Sequence, residues 1–255
     1  MEITSGTAAV VTGASSGLGA AVAEYLAGQG AKVAILDMNV EQGEAVAASI
    51  GGVFCQVDVT EPESVTAALT KARTAHGQER ICVNCAGIAP SAKTVSRGAV
   101  HDADLYKTVV TVNLIGTFNV ASQSALGMTQ SNTIGEDGER GVIINTASIA
   151  AYEGQIGQAA YASSKAGVIG LTLPMARDLS KSGVRVLAIA PGIFETPMLT
   201  AFPQEIQDAL AADIPFPRRL GKSSEFASLV GHMITNTMLN GEVIRIDGAT
   251  RLKAK

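Results

Sequence analysis

The chain has 255 residues, of which 47% are hydrophobic and 16% charged, and its formal net charge at pH 7 is -4. This length and composition suit one large α/β domain with an extensive core. The negative charge argues against a nucleic-acid binder, and since no apolar run approaches the roughly 18 residues of a spanning helix, we expect no membrane segment.

Seven short apolar segments alternate along the chain with longer amphipathic segments. The apolar segments are continuous runs rather than apolar–polar alternations, which is typical of parallel strands covered on both faces. This regular strand–helix alternation predicts a single doubly wound α/β domain over 1–255, with helices on both faces of a mostly parallel sheet. The predicted strands are 8–12, 32–37, 52–59, 81–84, 141–148, 184–191 and 242–248, and the predicted helices are 17–29, 41–50, 61–76, 104–130, 161–181 and 223–237.

A glycine-rich segment, "TGASSGLG", joins the first predicted strand to the first helix and contains Gly13, Gly17 and Gly19. Glycines at such a turn let the backbone approach a pyrophosphate, which the helix N-terminus attracts. Asp37 closes the second predicted strand, where a carboxylate can accept hydrogen bonds from an adenosine ribose diol. That carboxylate would repel a 2′-phosphate, and its sequence neighbours offer no cation, so the pattern favours NAD(H) over NADP(H).

The cysteines and the start of the chain bear on the compartment. Cys82 and Cys85 have the C-x-x-C spacing of a redox pair or half a metal site, and Cys55 stands apart. No second Cys or His pair follows, so we expect no metal and three reduced thiols in a cytosol-like compartment. The first predicted strand begins near Ala8, which leaves no room for a leader peptide. We expect a cytoplasmic protein, or a mitochondrial-matrix protein if the chain is a processed eukaryotic one.

Tyr161 and Lys165 lie four residues apart in the predicted helix 161–181 and therefore share one face, about 6 Å apart along its axis. The surrounding segment "AAYASSKAGVIG" carries no other charge, which favours a cleft or a close helix contact over a solvated face. A phenol is a poor base at neutral pH, but a neighbouring ammonium and a positive nicotinamide ring would lower its pKa. Tyr161 would then exchange a proton with a substrate alcohol.

Motifs in chain order resemble those of the short-chain dehydrogenase/reductase family. They are "TGASSGLG", "NCAG" at 84–87, "VNLIGTFNV" at 112–120, Ser148, "YASSK" at 161–165 and "PGIFETP" at 191–197. "NCAG" departs from the commoner N-N-A-G at Cys85, where the backbone carries the role. The resemblance covers essentially the whole chain and implies a Rossmann domain with a seven-stranded sheet in the order 3-2-1-4-5-6-7. It also implies a homotetramer, with one interface from helices 104–130 and 161–181 and another from the C-terminal strand and helix 223–237.

The resemblance further implies roles for individual residues. Tyr161 is the acid–base residue, Lys165 binds the nicotinamide ribose, and Ser148 orients the substrate oxygen. Asn113 anchors a water that links Lys165 to solvent, and Thr196 contacts the nicotinamide carboxamide. The implied cofactor-binding residues are Gly13, Ser15, Ser16, Gly17, Leu18, Gly19, Asp37, Asp58, Val59, Cys85, Ala86, Gly87, Tyr161, Lys165, Pro191, Gly192 and Thr196.

Further segments are similar to the type-2 3-hydroxyacyl-CoA dehydrogenase branch of that family, also described as 17β-hydroxysteroid dehydrogenase type 10. They are "ERGVIINTAS", "GQAAY", "LTLPMARDL", "IPFPRRLG" and "LNGEVIRIDGA", with an insertion after "NCAGIA". This similarity implies an NAD-dependent interconversion of 3-hydroxyacyl-CoA and 3-oxoacyl-CoA in fatty acid metabolism.

Three long loops, 88–104, 149–158 and 194–221, are expected to bind the substrate, because such loops at the carboxyl end of a sheet are commonly functional. The side chains that would line an acyl thioester are Ser148, Gln155, Gln158, Tyr161, Met198, Leu199, Phe202 and Leu210. Candidate partners of the CoA phosphates are Lys93, Arg97, Arg218 and Arg219, although surface charges are more often only solvated.

Other functions stay open at this point. One is a 3-oxoacyl-carrier-protein or acetoacetyl-CoA reductase that uses NADPH, against which Asp37 argues. A hydroxysteroid dehydrogenase is another, and the sequence does not separate it from an acyl-CoA enzyme. A third is a non-catalytic NAD-binding scaffold, against which the complete set of Asn113, Ser148, Tyr161 and Lys165 argues.

Overall fold

A computed structural model describes residues 1–196, 199 and 203–254. Its strands are β1 (Ala8–Thr12), β2 (Lys32–Asp37), β3 (Val53–Gln56), β4 (Ile81–Asn84), β5 (Val95–Ser96), β6 (Ala99–Val100), β7 (Gly141–Thr146), β8 (Val184–Pro191) and β9 (Val243–Ile246). Seven of them form one parallel sheet in the order β3-β2-β1-β4-β7-β8-β9. Because β5 and β6 form a separate antiparallel hairpin, this is the predicted order, which is confirmed.

Helices cover both faces of this sheet. They are α1 (Gly17–Gly28), α2 (Val40–Ile50), α3 (Pro62–His76), α4 (Ala103–Val110), α5 (Thr117–Thr129), α6 (Ala159–Leu179), α7 (Gln204–Ala212) and α8 (Ser223–Thr235). Val11 packs in one core layer with α1 and α8, while Val10 packs in the other with α3, α5 and α6. Successive strand residues thus bury opposite faces, which explains the continuous apolar runs. Within the described residues, no helix is long and apolar enough to cross a membrane.

The predicted carboxyl ends of β1, β2, β4 and β8 are confirmed, whereas those of β3, β7 and β9 are too long. β3 ends at Gln56 instead of residue 59, and β7 ends at Thr146 instead of residue 148. The residues beyond these ends, among them Val59 and Ser148, leave the sheet and line a cleft. The sheet order reverses between β1 and β4, and the crevice at such a reversal is where ligands of open α/β sheets bind.

The predicted helix 104–130 is interrupted. A π-helical turn, Thr111–Gly116, separates α4 from α5. It carries Asn113, whose side chain accepts from the Ile88 amide at 2.8 Å and donates to the Ile88 carbonyl at 2.9 Å and the Ser164 hydroxyl at 3.0 Å. These hydrogen bonds to distant segments use both ends of the Asn113 side-chain amide inside the helix. Because the partners are distant in sequence, local helix propensity does not predict the interruption.

Candidate active site

A cleft of about 860 Å³ opens at the carboxyl ends of the strands. All the predicted cofactor-binding residues line it, as do the predicted substrate residues Ser148, Gln155, Gln158, Tyr161 and Leu199. Asn113 lies behind the wall and reaches the cleft through Ile88, which does line it. Met198 and Phe202 lie outside the described residues.

The turn after β1 brings backbone atoms close together on the floor of the cleft. Gly13 has φ +62°, and a Cβ there would lie 2.6 Å from the Ala86 nitrogen. Only glycine fits both the angle and the space. The Thr12 hydroxyl accepts from the amides of Cys85 at 3.1 Å and Ala86 at 3.2 Å. The loops after β1 and β4 are therefore held together as one surface.

The amino end of α1 is built to receive an anion. Its first residues, Gly17 to Gly19, line the cleft. Ser16, the N-cap residue, makes no side-chain capping hydrogen bond within the described part of the chain. The first N–H groups of a helix have no partner inside the helix, so an uncapped end facing a cleft suits a phosphate oxygen.

Asp37 ties this turn to the end of β2. One of its carboxylate oxygens accepts from the Ser15 amide at 3.0 Å and the other from the Asn39 amide at 2.9 Å. Asp37 therefore does stabilise a turn, which is the structural role that such a residue has without any ligand. Each carboxylate oxygen keeps a further acceptor position, so the same residue can also accept a hydroxyl at the edge of the cleft.

Tyr161, Lys165 and Ser148 meet in the centre of the cleft. The Lys165 Nζ lies 5.9 Å from the centroid of the Tyr161 ring and donates to the Thr146 carbonyl at 2.7 Å. The Ser148 hydroxyl lies close enough to the Tyr161 phenol to affect its pKa, and it accepts from the Ala150 amide at 3.1 Å. The predicted placement of all three side chains around one point is what the structure has.

Burial shifts the pKa of both titrating groups. It lowers the pKa of Lys165 to about 8. It raises the pKa of Tyr161, and the neighbouring Ser148 hydroxyl only partly opposes this. The sequence predicts a lowered pKa for Tyr161 with a nicotinamide ring bound; in the chain alone the pKa is shifted in the opposite direction. The reason is that the phenol loses solvent while the ammonium of Lys165 bonds to the Thr146 carbonyl.

Asn113 and Lys165 converge on Gly87 from two helices. A Cβ at Gly87 would lie 3.1 Å from the Asn113 Oδ1 and 3.5 Å from the Lys165 Nζ. The Asn113 amide is used by Ile88 and Ser164, and its main-chain carbonyl accepts from the Thr117 hydroxyl at 2.8 Å. Asn113 thus fixes the wall beside Lys165, and the water between them stays a prediction.

The end of the cleft beside Gln155 and Gln158 includes a C-terminal segment that the sequence did not predict there. Leu252, near the C-terminus, lines the cleft together with Gln155 and Gln158. The Gln155 Nε2 donates to the carbonyl of Lys253 at 3.1 Å, and the Ile156 amide donates to the carbonyl of residue 254 at 3.0 Å. Gln155 and Lys253 are 98 residues apart, and no local pattern signals their contact.

An ion cluster fastens the same loop to β9. The Arg245 guanidinium contacts both carboxylate oxygens of Glu153, at 2.7 and 3.0 Å, and lies 4.9 Å from the centroid of the Tyr152 ring. It also bonds to Asp247 at 2.8 Å and to the Thr250 carbonyl at 3.1 Å. The loop after Ser148, the last strand and the tail are therefore one connected unit.

The candidate phosphate-binding cations differ in what surrounds them. Arg219 pairs with both carboxylate oxygens of Glu225, at 2.9 and 2.6 Å, so its charge is already matched. Arg218 is exposed. Lys93, just before the β5–β6 hairpin, and Arg97, in the turn of that hairpin, are exposed as well. These three exposed cations are the ones that remain suited to an anion.

The C-x-x-C cysteines do not act together. Cys82 packs in the core layer of α3, α5 and α6, whereas Cys85 packs against the opposite layer. Burial raises the pKa of the Cys82 thiol to about 12 and that of Cys85 to about 11. All three cysteines are free, and burial also raises the pKa of Cys55. Thiols held in this way are poor nucleophiles.

Comparison with known proteins agrees with this geometry. The family model of short chain dehydrogenases matches residues 7–207. The chain is 50% identical to "3-hydroxyacyl-CoA dehydrogenase type-2" of Bos taurus, over 97% of this chain and 96% of that protein. It is 51% identical to the protein of the same name from Drosophila melanogaster, over 95% and 96%. A crystal structure of 3-hydroxyacyl-CoA dehydrogenase type-2 from Mycobacterium avium has a TM-score of 0.94 and 42% identity, covering 98% of each chain.

Proposed function

The chain belongs to the short-chain dehydrogenase family, and we propose that it is an NAD-dependent oxidoreductase that interconverts a 3-hydroxyacyl-CoA and a 3-oxoacyl-CoA. The observation that carries the proposal is the meeting of Ser148, Tyr161 and Lys165 in a cleft that also holds Asp37 and the glycine turn. The names of relatives about half identical over nearly the whole chain support the acyl-CoA substrate.

The residues of the cleft fit a nicotinamide dinucleotide. The uncapped amino end of α1 suits the pyrophosphate, and Asp37 suits the adenosine ribose. Lys165 has three N–H bonds, and the Thr146 carbonyl takes one, so others remain for the nicotinamide ribose. The carboxylate of Asp37 supports NAD(H) over NADP(H) because it repels a 2′-phosphate. When bound, the nicotinamide supplies the hydride for reduction or accepts it in oxidation.

The side chains then handle the proton. In reduction, the Tyr161 hydroxyl donates its proton to the carbonyl oxygen of the substrate, and in oxidation the Tyr161 phenolate takes the proton of the alcohol. The charge of Lys165 favours the phenolate that forms in the first case. Ser148 holds the substrate oxygen next to the phenol. Positioned acid–base catalysis of this kind contributes roughly 10²–10⁴ to the rate.

A spectrophotometric assay of NADH oxidation tests the proposal. The substrates are acetoacetyl-CoA, longer 3-oxoacyl-CoAs, 2-methylacetoacetyl-CoA, acetoacetyl-carrier protein and a 17-ketosteroid. We expect turnover of CoA thioesters with NADH and a much lower kcat/KM with NADPH. A failure to turn over any CoA thioester would contradict the proposed substrate, and a preference for NADPH would contradict the proposed cofactor.

We also propose that the chain, as one domain over 1–255, assembles into a homotetramer. Ile115, Phe118 and Leu126 on the π turn and α5 are 46%, 48% and 62% exposed, and Leu173 on α6 is 44% exposed. Apolar side chains of this size on adjacent helices suit burial against another copy. Light scattering after gel filtration is expected to give a mass four times 26.0 kDa.

The three free thiols of the chain fit a reducing compartment, which we propose is the cytoplasm or the mitochondrial matrix.

A further inference from the structure

The segment after β3 forms the part of the cleft beside Asp37. Asp58 and Val59 both line the cleft there. The Asp58 carboxylate accepts from the amide and hydroxyl of Thr60, at 2.9 and 2.7 Å, which fixes Asp58 locally. A base attached to a ribose at Asp37 would lie against this segment, and the apolar side chain of Val59 suits one of its faces.

Val59 itself is held from across the molecule, by α5. The Asn119 Nδ2 donates to the Val59 carbonyl at 3.0 Å and also reaches the Thr60 carbonyl at 3.5 Å. Gly116, at the end of the π turn, packs against the same residue: a Cβ on Gly116 would lie 2.6 Å from a methyl carbon of Val59. The hydrogen bond from Asn119 holds the backbone of Val59. The absence of a side chain at Gly116 lets the π turn pack closely against the Val59 side chain.

The same π turn also contacts the wall of the cleft beside Lys165. Asn113 bonds to both backbone groups of Ile88, beside Lys165. Asn113 and Gly116 belong to one π turn, and Asn119 lies in the first turn of α5 that follows. The stretch 113–119 therefore contacts the wall of the cleft in two places, at Ile88 beside Lys165 and at Val59.

We infer that Asn119 and Gly116 are positioning residues for the adenine end of the dinucleotide site, acting through Val59. This inference rests on the proposed NAD-dependent function. Neither residue touches a reacting atom, so their effect is on dinucleotide affinity. Loss of the Asn119 amide leaves the carbonyl of a nearly buried Val59 without that donor, and the segment shifts to find another. A shift of this kind weakens contacts with the adenosine half and leaves those with the nicotinamide half in place.

Binding measurements with three ligands test the inference. For Asn119→Ala, we expect the Kd of NADH and of ADP-ribose to rise about tenfold. A change of this size corresponds to the loss of about one hydrogen bond between uncharged groups. The Kd of reduced nicotinamide mononucleotide, which lacks adenosine, stays within twofold, and so does kcat at saturating NADH. Gly116→Ala displaces Val59 by a different means, through its added methyl group, and is expected to give the same selective loss.

The matched control is Gln123→Ala. Gln123 lies one turn further along α5, donates to the Pro62 carbonyl at 2.9 Å and bonds to Thr66, but its partners lie beyond the cleft. Its Kd values are expected to equal those of the unaltered protein. Equal weakening of all three ligands in Asn119→Ala, or no weakening of NADH, would overturn the inference. If the unaltered protein binds no NADH at all, that result contradicts the proposed function. If the unaltered protein and Asn119→Ala bind NADH equally well, that result contradicts only the present inference.

Discussion

The two halves of the cleft are built from different kinds of structure. The dinucleotide half consists of strand ends and the first turn of α1, joined by bonds such as those from the Ser15 amide to Asp37 and from the Ala86 amide to Thr12. The proposed substrate half consists of the loop after Ser148, Leu199 and the C-terminal tail, with contacts such as that of Gln155 with Lys253. In the first half the sheet sets the geometry, and in the second half side chains set it.

This difference separates two functions. Residues at strand ends are positioned by the parallel register of the sheet, and we propose that they bind the cofactor, which is the same for every substrate. Residues on the loops and tail can change without disturbing the sheet, and we propose that they decide which substrate is accepted. Tyr161 and Lys165 lie on α6 at the boundary and serve both halves. Substitutions in each half should therefore fail in distinguishable ways.

The largest effect is expected at the boundary. Tyr161→Phe removes the group that exchanges the proton while keeping the ring, so kcat should fall about 10³-fold. The Kd of NADH, measured by fluorescence, should change less than twofold. Tyr106→Phe is the control, since the Tyr106 hydroxyl bonds only to Ser163 on the outer face, at 2.9 Å, among the hydrogen bonds described. Turnover in Tyr161→Phe within tenfold of normal would contradict the assigned role.

In the dinucleotide half, Asp37→Ala removes the carboxylate that bonds to the Ser15 and Asn39 amides and is proposed to bind the ribose. We expect kcat/KM for NADH to fall about 10²-fold and the preference for NADH over NADPH to shrink, with the KM of the acyl-CoA unchanged. Steady-state kinetics with both cofactors provide the check. Glu41→Ala, at an exposed position in the first turn of α2, serves as the control. An altered acyl-CoA KM with normal NADH kinetics would reverse the comparison of the two halves.

Lys165 lies between the two halves, and its lowered pKa should make the free energy of unfolding depend on pH. Its pKa is lowered from 10.5 to about 8 in the folded chain. Below pH 8 both states carry the proton; between pH 8 and 10 only the unfolded state does, so stability rises with pH there. Relative to Lys165→Met, the free energy of unfolding of the cofactor-free protein should increase by about 2 kcal/mol over this window. Urea unfolding at pH 7, 8, 9 and 10 measures it, and parallel pH profiles for the two proteins would be the contrary result.

The smallest effect is expected in the substrate half and concerns selectivity. Leu252→Ala opens the cleft, and each additional methylene buried there is worth about fourfold in kcat/KM. The ratio of kcat/KM for 3-oxooctanoyl-CoA over acetoacetyl-CoA should rise about tenfold, and Leu252→Phe should lower it. Met238→Ala is the control, because Met238 is 92% exposed and lies near the start of β8, away from the cleft. Equal losses on both substrates in both Leu252 variants would show that the tail only supports the fold.

The sequence predicts the dinucleotide half of the cleft better than the substrate half. The turn at Gly13, the acid at Asp37 and the Tyr161–Lys165 pair are local patterns, and the structure brings these residues into one cleft. Membership of the short-chain dehydrogenase family is confirmed on the same motifs. The roles of the individual residues stay predictions.

What the sequence does not predict depends on distant contacts. The π turn exists where Asn113 bonds to Ile88 and Ser164, and a propensity argument reads that stretch as one helix. The place of Leu252 in the cleft depends on a pairing of the tail with the loop at Gln155. The pKa of Tyr161 depends on how much solvent the folded cleft excludes, which the spacing of two residues does not reveal.

The most direct test of the central claim is a crystal structure of the protein with NAD bound. The account predicts the adenosine ribose hydroxyls about 3 Å from the carboxylate of Asp37 and the nicotinamide ribose about 3 Å from the Lys165 Nζ, with the Tyr161 hydroxyl facing the nicotinamide ring. A dinucleotide bound elsewhere, or bound in the cleft without contact to Lys165, would contradict it.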